Sequence, residues 1–303
     1  MELQQIRYVV AVAETNNFTR AAERCHVVQS ALSHQIARLE RELGFRLFER
    51  SSRRVQLTPA GTAFLPAARQ CLDAAERATA LAAAAVGEIR GRLAVGLIPT
   101  VAAVDIPRAL RTFHEQYPDV RISLRVGASD ELVEQVRAEA IDLAFLGLPT
   151  TARPHGVDAW ELGRDRLVAT VAPDHPLAGE SAVSLSRLAS EVFVDLPART
   201  AGRAQTDQAF AAAGLTRDVA YEVTNADFIA RLVVNGLGIA LLPSAYVPQL
   251  TGLTTIEVTD APGRVEYVVW NRFTRPPAAT AFLAGLDIPT GAGPKATQQH
   301  TSS

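Results

Sequence analysis

Within residues 18–61 the chain gathers side chains that both donate and accept hydrogen bonds, in a pattern suited to reading a polyanion. Gln29, Ser30, Ser33, His34, Gln35 and Arg38 fall opposite an apolar stripe of Leu32, Ile36, Leu39 and Leu43, spaced by four, three and four. Such a stripe packs inward. The polar side is then free to address base edges and phosphates, as the N-terminal end of a helix in a major groove requires. Thr19 and Arg20, in a shorter helix just before, join this candidate set. So do Arg50, Arg53 and Arg54, which with Arg46 surround a Ser-Ser turn and form a grip for phosphate.

The elements that must hold these groups are legible around them. A short helix over 18–25 is followed by a break at His26 and Val27, a longer helix over about 29–43, and a basic hairpin over 45–57. Ahead of them Leu3, Ile6, Val10 and Ala13 give a first helix one inward face. Each piece alone fits an ordinary solvated surface. In this order and this close together they predict a winged helix-turn-helix that binds DNA. Thr58 then caps, and Pro59 opens, a long helix. Phe64, Ala68, Cys71, Ala75, Ala78 and Ala82 give it a heptad-like seam. At roughly 1.5 Å per residue it would be a rod of ~42 Å. Pro66 is expected to kink it, and Gly87 and Gly91 to form a hinge after it.

The runs FTRAA at 18–22, QSALSHQI at 29–36, LE at 39–40, LG at 43–44, LFER at 47–50 and LTPAG at 57–61 resemble the signature of LysR-type transcriptional regulators. Two positions depart from it. Val28 stands where the family usually has a capping Ser, whose loss typically costs about 1 kcal/mol, and His34 stands where Arg is common. The resemblance implies that the long helix is a dimerising linker and that a two-lobed effector domain follows, similar to a small periplasmic-binding-protein (type 2) fold. It also implies double-stranded promoter DNA as partner, a homodimer or homotetramer, and RNA polymerase as a further partner if the protein activates.

Composition sets bounds on the rest. The chain has 303 residues, 48% hydrophobic, with a net charge of -2, as expected of a globular protein of two or three modest domains. Residues 1–61 hold nine Arg against six Glu, so the head is basic and the body carries the acidic excess. No signal peptide is expected, because the first residues enter an amphipathic helix directly. No run reaches the ~20 apolar residues of a membrane span. Both observations point to the cytoplasm. The two cysteines, Cys25 and Cys71, fall in predicted helices without CxxC spacing, so a structural role in a reducing compartment is the default. The six histidines show no HxxxH or HExxH spacing, and there is no GxSxG elbow or phosphate loop. No enzyme, no metal and no cofactor is expected.

From Arg92 onward short strands alternate with helices, which predicts an α/β arrangement. RLAVGLI, VRISLRV, LAFLGL, LVATVAP, VFVDLP, VAYEVT, IALLP and EYVVWN read as strands, with helices near 101–115, 131–140, 205–213, 227–235 and 278–286. LAFLGL has the continuous apolar run of a buried parallel strand. The resemblance places crossings between lobes near 163–165 and 261–265. The expected organisation is therefore a DNA-binding domain over 1–57, a linker helix over 58–87 and an effector domain over 92–288. Lobe one takes 92–163 and 266–288, lobe two 164–265. Residues 289–303 lack apolar periodicity and read as a disordered tail.

A cleft between such lobes is the expected small-molecule site. Pro99 and Thr100 are read as ending the first strand and opening a helix, and Ser129 as capping the next. Capping alone would account for both hydroxyls; the resemblance adds that both positions face the effector. Leu146 and Gly147, at the end of LAFLGL, and Asp195, Leu196 and Asn225, at strand ends of lobe two, complete the set. Arg199 and Arg203, read as loop residues, could pair with a carboxylate effector such as an organic acid. Gly236 to Pro243 has a GxG without the third glycine of a dinucleotide fingerprint. Glu139 stands where the family commonly has Gly. The expected function is thus a LysR-type regulator that binds an interrupted palindrome and responds to an effector in the cleft. The alternatives are a cytoplasmic small-molecule-binding protein without regulatory output, and a nucleoid-type DNA binder that ignores small molecules.

Overall fold

The structure is a computed structural model and describes residues 1–50, 55–198 and 200–289, with Arg50 as backbone only. Arg53, Arg54, Arg199 and all of the predicted tail except Pro289 lie outside the described residues. The chain forms two compact units, Met1–Gly91 and the remainder from Arg92.

The first unit opens with α1 (Leu3–Thr15), α2 (Phe18–Arg24) and α3 (Gln29–Leu43). Asn17 caps α2 by accepting from the Thr19 and Arg20 N–H groups. His26 takes a left-handed conformation with φ 54°, which makes the break between α2 and α3. Cys25 is the residue just past the end of α2 rather than within it. The predicted stripe on α3 holds: Leu32, Ile36 and Leu39 are fully buried with Val9, Val12, Phe18 and Ala21. Gly44 ends α3 at φ 81°, where a Cβ would be strained. Strands β1 (Phe48–Arg50) and β2 (Val55–Leu57) pair antiparallel as the hairpin. One Glu40 carboxylate oxygen accepts from the Leu47 and Phe48 N–H groups at 2.8 and 3.2 Å, fixing the hairpin to α3.

Helix α4 (Pro59–Ala84) starts as its sequence predicts, with Thr58 Oγ accepting from Gly61 N–H, and is assigned as one helix through Pro66. Within one chain it packs against α1, and its buried positions are Gly61, Ala68, Ala80 and Ala83. Of the predicted seam only Ala68 is buried; Phe64 and Ala75 are half-buried, and Cys71, Ala78 and Ala82 are exposed. Within one chain α4 thus packs on α1 through a face other than most of the predicted seam, which is left outward.

The second unit contains β3 (Gly91–Leu97), α5 (Ile106–Gln116), β4 (Val120–Val126), α6 (Ser129–Arg137), β5 (Leu143–Pro149) and a 14-residue strand, β6 (Asp158–Val171). Then come β7 (Ala182–Val183), α7 (Leu185–Leu188), β8 (Val192–Asp195), α8 (Ala201–Ala212), β9 (Asp218–Glu222), α9 (Ala226–Val234), β10 (Ala240–Pro243), β11 (Thr254–Val258), β12 (Gly263–Trp270) and α10 (Pro277–Gly285). The main sheet runs β4-β3-β5-β12-β6-β11-β7, and β10 also pairs with β6. It is mixed, not parallel throughout: β5 runs parallel to β3 and antiparallel to β12. The first part of β6 pairs with β12, from Asp158 to Arg166. Its second part pairs with β10 and β11. The two lobes are thus parts of one curled sheet joined by a continuous strand. Separate apolar cores lie on either side of this junction, one around Leu132, Val136 and Tyr267, the other around Leu185, Phe193 and Phe210. Glu139 adopts φ 56° at the turn where the family commonly has Gly, and its side chain accepts from Thr274 Oγ at 2.8 Å.

Gly61 shows why the helix start after the hairpin needs a glycine. A Cβ there would lie 2.9 Å from Leu57 Cδ2 and closer still to the Leu47 carbonyl oxygen, which is backbone and cannot turn aside. Gly61→Ala should lower stability by roughly 1–3 kcal/mol. Val28, at the N-cap of α3, makes no side-chain cap and is 68% exposed; Val28→Ser should raise stability by about 1 kcal/mol. Urea unfolding followed by circular dichroism reads both, and unchanged midpoints would refute these accounts.

Candidate functional site

Two surfaces carry the candidate chemistry. On α3, Gln29, Ser30 and His34 are exposed and Ser33 half-buried. Because Val28 offers no side-chain acceptor, the first turn of α3 presents its N–H groups outward, an arrangement that favours phosphate. The other two predicted residues lean toward α1. Gln35 accepts from Gln5 Nε2 at 3.3 Å, and Arg38 lies 3.7 Å from the Glu2 carboxylate. The Gln35 oxygen is therefore engaged inside the protein, whereas the exposed Arg38 pair is weak enough to be exchanged. Thr19 and Arg20 are exposed on α2, and Arg46 is exposed before the hairpin. The side chains of Arg50, Arg53 and Arg54 are outside the described residues.

The second surface is a cavity of about 380 Å³ in the effector unit. Its walls are mostly apolar, with Ile98, Leu167, Leu196, Leu241 and Leu242 among them, and polar groups enter at a few points. This is the usual composition of a small-molecule site. Of the predicted residues Pro99, Thr100, Ser129, Gly147, Asp195 and Leu196 line it. The others are placed elsewhere. Leu146, one residue out of phase on β5, packs in the core. Asn225 caps α9 by accepting from Phe228 N–H at 3.0 Å, and its neighbour Thr224 reaches the cavity instead. Arg203 lies in α8, not on a loop, and is held by Asp207 and Glu222, each at 3.0 Å.

The two predicted capping hydroxyls do different work. Helix α5 begins at Ile106 with Asp105 as its cap, so Thr100 opens no helix. Thr100 is buried and accepts from Arg264 Nη1 at 2.9 Å. Ala128, not Ser129, is the N-cap of α6. Ser129 Oγ donates to the Gly147 carbonyl at 3.1 Å and accepts from Gly147 N–H at 3.3 Å, tying α6 to β5.

Arg264 organises the cavity floor, and sequence reasoning missed it. Its Nε donates to Asp165 at 3.0 Å, its Nη1 to Thr100, and its Nη2 to Glu266. Glu266 also accepts from the Ala102 and Ala103 N–H groups at 3.0–3.1 Å. A signal existed: Arg264 and Glu266 interrupt an otherwise apolar strand, and a charge in a buried strand needs a partner. A second charged group sits behind Asp195. Arg217 Nη2 lies 2.7 Å from Asp195 and 2.7 Å from Asp207, with its guanidinium over the Phe193 and Phe210 rings. Burial pushes the Asp195 carboxyl above its ordinary value, against the opposing pull of Arg217 and of the Leu196 N–H. Asp207 is less enclosed; burial raises it, but hydrogen bonds from Arg217 and Arg203 outweigh this and hold it below the usual carboxylate range. Among the described residues no group of three His, Cys, Asp or Glu could hold a metal.

A winged helix-turn-helix followed by a two-lobed fold with a cleft defines a ligand-responsive DNA-binding protein. Residues 3–62 match the bacterial regulatory helix-turn-helix protein family of lysR type, and residues 87–287 match the LysR substrate binding domain. The chain is 32% identical over 287 residues to a RuBisCO operon transcriptional regulator of Allochromatium vinosum, covering 93% of this chain and 94% of that one. It is 37% identical over 246 residues to a probable hydrogen peroxide-inducible genes activator of Mycobacterium avium, covering 80% and 78%. Its fold matches full-length CbnR in complex with target DNA at a TM-score of 0.71 and 27% identity, covering 95% of this chain and 99% of that one. The chain belongs to the LysR family of transcriptional regulators.

The Arg264 cluster makes a stability test. Arg264→Met would leave Asp165 and Glu266 buried without their shared cation. That should cost roughly 3–5 kcal/mol, read as a lower urea midpoint of the full chain. A loss below about 1 kcal/mol would mean that the cluster is solvated like a surface pair.

Proposed function

We propose that this regulator binds an interrupted palindromic promoter site as a dimer or tetramer and changes its grip on DNA when a small organic acid enters the cleft. The observation that carries the reading is the pairing, in one family member, of an exposed polar face on α3 with a cavity lined by the starts of α6 and α8. Helix N-termini favour anionic groups. Gln29, Ser30, Ser33 and His34 are the proposed base-reading residues. Thr19, Arg20, Arg38, Arg50, Arg53 and Arg54 are the proposed phosphate contacts.

Several finer points belong to the same proposal. The exposed side of α4, with Cys71, Ala78, Leu81 and Ala82, is the proposed dimer seam; its small residues suit close helix approach. The lobe boundaries are proposed at 92–163 with 266–288, and at 164–265. The protein is proposed to work in the cytoplasm, without catalysis, and to touch RNA polymerase where it activates; among the described residues no helix is long and apolar enough to cross a membrane. Although some relatives are named for peroxide response, Cys25 and Cys71 are the only cysteines of the chain and both precede residue 92. A thiol sensor inside the effector domain is thus not available, which favours response by binding. The competing reading, a small-molecule binder without regulatory output, differs in one observable.

That observable is a gel shift at low salt with the region upstream of the protein's own gene, with and without small organic acids. The wild type should shift it. Arg53→Ala with Arg54→Ala should weaken binding to all sequences alike and reduce the slope of log affinity against log salt by roughly 2, from about 0.9 per phosphate contact. Ser33→Ala should instead change sequence preference. If the protein shifts neither this region nor any neighbouring intergenic fragment, the regulatory proposal is lost; an unchanged salt slope would remove only the wing assignment.

A further inference from the structure

We propose that the cleft selects a small effector with two separate polar ends: an acceptor oxygen for Thr100 and a hydroxyl or amine donor for Gln205. An apolar body between them would make it a hydroxy-acid-like molecule. This inference rests on the effector reading above and specifies its chemistry.

The argument starts from which hydrogen-bonding positions the protein has already filled. Thr100 is 6% exposed. Its oxygen accepts from Arg264 Nη1 at 2.9 Å, whereas its own proton has no acceptor among the described residues. A guanidinium only donates, so Arg264 commits this hydroxyl to donating into the cavity that Thr100 lines. Gln205 is 4% exposed and lines the same cavity. Its Nε2 donates to the Gly263 carbonyl at 2.7 Å. A carbonyl only accepts, so the amide orientation is chemically forced and Oε1 is left as an acceptor with no partner among the described residues. Consecutive residues at the start of β12, Gly263 and Arg264, therefore set the polarity of both groups.

The remaining polar groups narrow the choice. Ser129 Oγ has its donor and one acceptor site used by Gly147, and Thr200 Oγ by the Pro197 carbonyl and Arg203 N–H. Asp195 Oδ1 accepts from the Leu196 N–H, and its Oδ2 makes no hydrogen bond but lies 2.7 Å from the Arg217 guanidinium, which offsets its charge. Glu131 lines the cavity but is exposed and accepts from Gln135. Apart from the ion-paired Asp195, Thr100 and Gln205 are the neutral buried side chains of the cleft that have a donor or acceptor atom without a partner among the described residues. Leaving a buried polar group unmatched is costly, and a site built around a hydroxyl rejects analogues that lack it. The acceptor end is placed beside α6: Gly147, which holds Ser129 at the start of that helix, packs against Arg264 Nη1. A carboxylate oxygen fits there, since α6 has no side-chain cap.

Calorimetric titration of the full chain with three matched series tests this: ω-hydroxyalkanoates from glycolate to hydroxyoctanoate, the plain alkanoates, and the plain alkanols. At one or two chain lengths the hydroxy acid should bind about tenfold tighter than both single-ended analogues. Gln205→Met should shrink the gap between hydroxy acid and alkanoate to about threefold or less, while Thr100→Val should weaken both acids. Thermal melts of the variants confirm that the fold is kept, and the comparison within the wild type needs no variant. Equal binding of hydroxy acid and alkanoate at every length, or no binding of any member at millimolar concentration, overturns the proposal. A wild type that shifts its upstream DNA while failing this titration loses only the present inference; one that shifts no DNA loses the regulatory reading instead.

Discussion

A single guanidinium held between two carboxylates is the constraint on which the effector unit depends. Arg264 is 4% exposed and meets Asp165 on β6, Glu266 on its own strand and Thr100 on the loop after β3. Burying three charges is expensive unless each finds several partners. Here they do: Glu266 takes two backbone N–H groups as well, and Asp165 lies within reach of the Ala245 N–H. One guanidinium against two carboxylates leaves a formal charge of -1, which the two N–H groups on Glu266 offset in part. The cluster's contribution is geometric. It pins the strand that joins the lobes to the loop that lines the cavity.

The DNA-reading unit is organised on a comparable economy. Glu40 leaves the polar side of α3 to hold the hairpin by two N–H groups, and Gly61 lets the start of α4 approach the Leu47 carbonyl. Both fix the hairpin from its base, whereas Gln29, Ser30 and His34 on the proposed reading face keep exposed side chains. Gln35, whose oxygen is taken by Gln5, shows where the packed side begins.

How much of this was legible depends on the range of the interaction. The stripe on α3, the Thr58 cap and the Pro59 start are decided by neighbours within one or two turns, and the sequence states them directly. The roles of Thr100 and Ser129 are decided by residues 164 and 18 positions away. Local reasoning could only offer them caps. Arg203 looked available for a ligand because it was read as a loop residue: as part of α8 it meets Asp207 one turn on, and the pairing of β9 with β8 adds Glu222. The crossing expected near 163–165 falls within β6, where Gly163 and its charged neighbours weaken strand propensity. Pairing with β12 overrides that weakness, as tertiary context commonly does in sheets. Arg264 and Glu266 were visible as charges in an apolar strand, but their partners were not.

The same division of range explains why specificity can be argued at the cleft. Shape and apolar lining constrain a ligand loosely, since one methylene in an apolar pocket is worth only about 1–3 kcal/mol. A buried hydroxyl and a buried amide whose orientations are already fixed by one partner each are stricter. They cannot turn to suit a different ligand without giving up Arg264 or the Gly263 carbonyl. Those two partners sit next to each other where β12 begins, against the strand shared by both lobes. A ligand that satisfies Thr100 and Gln205 together must therefore engage groups fixed by one short piece of backbone. On the proposal above, recognition of the effector would draw on the bonds of Thr100 to Arg264 and of Gln205 to the Gly263 carbonyl, next to the strand shared by both lobes.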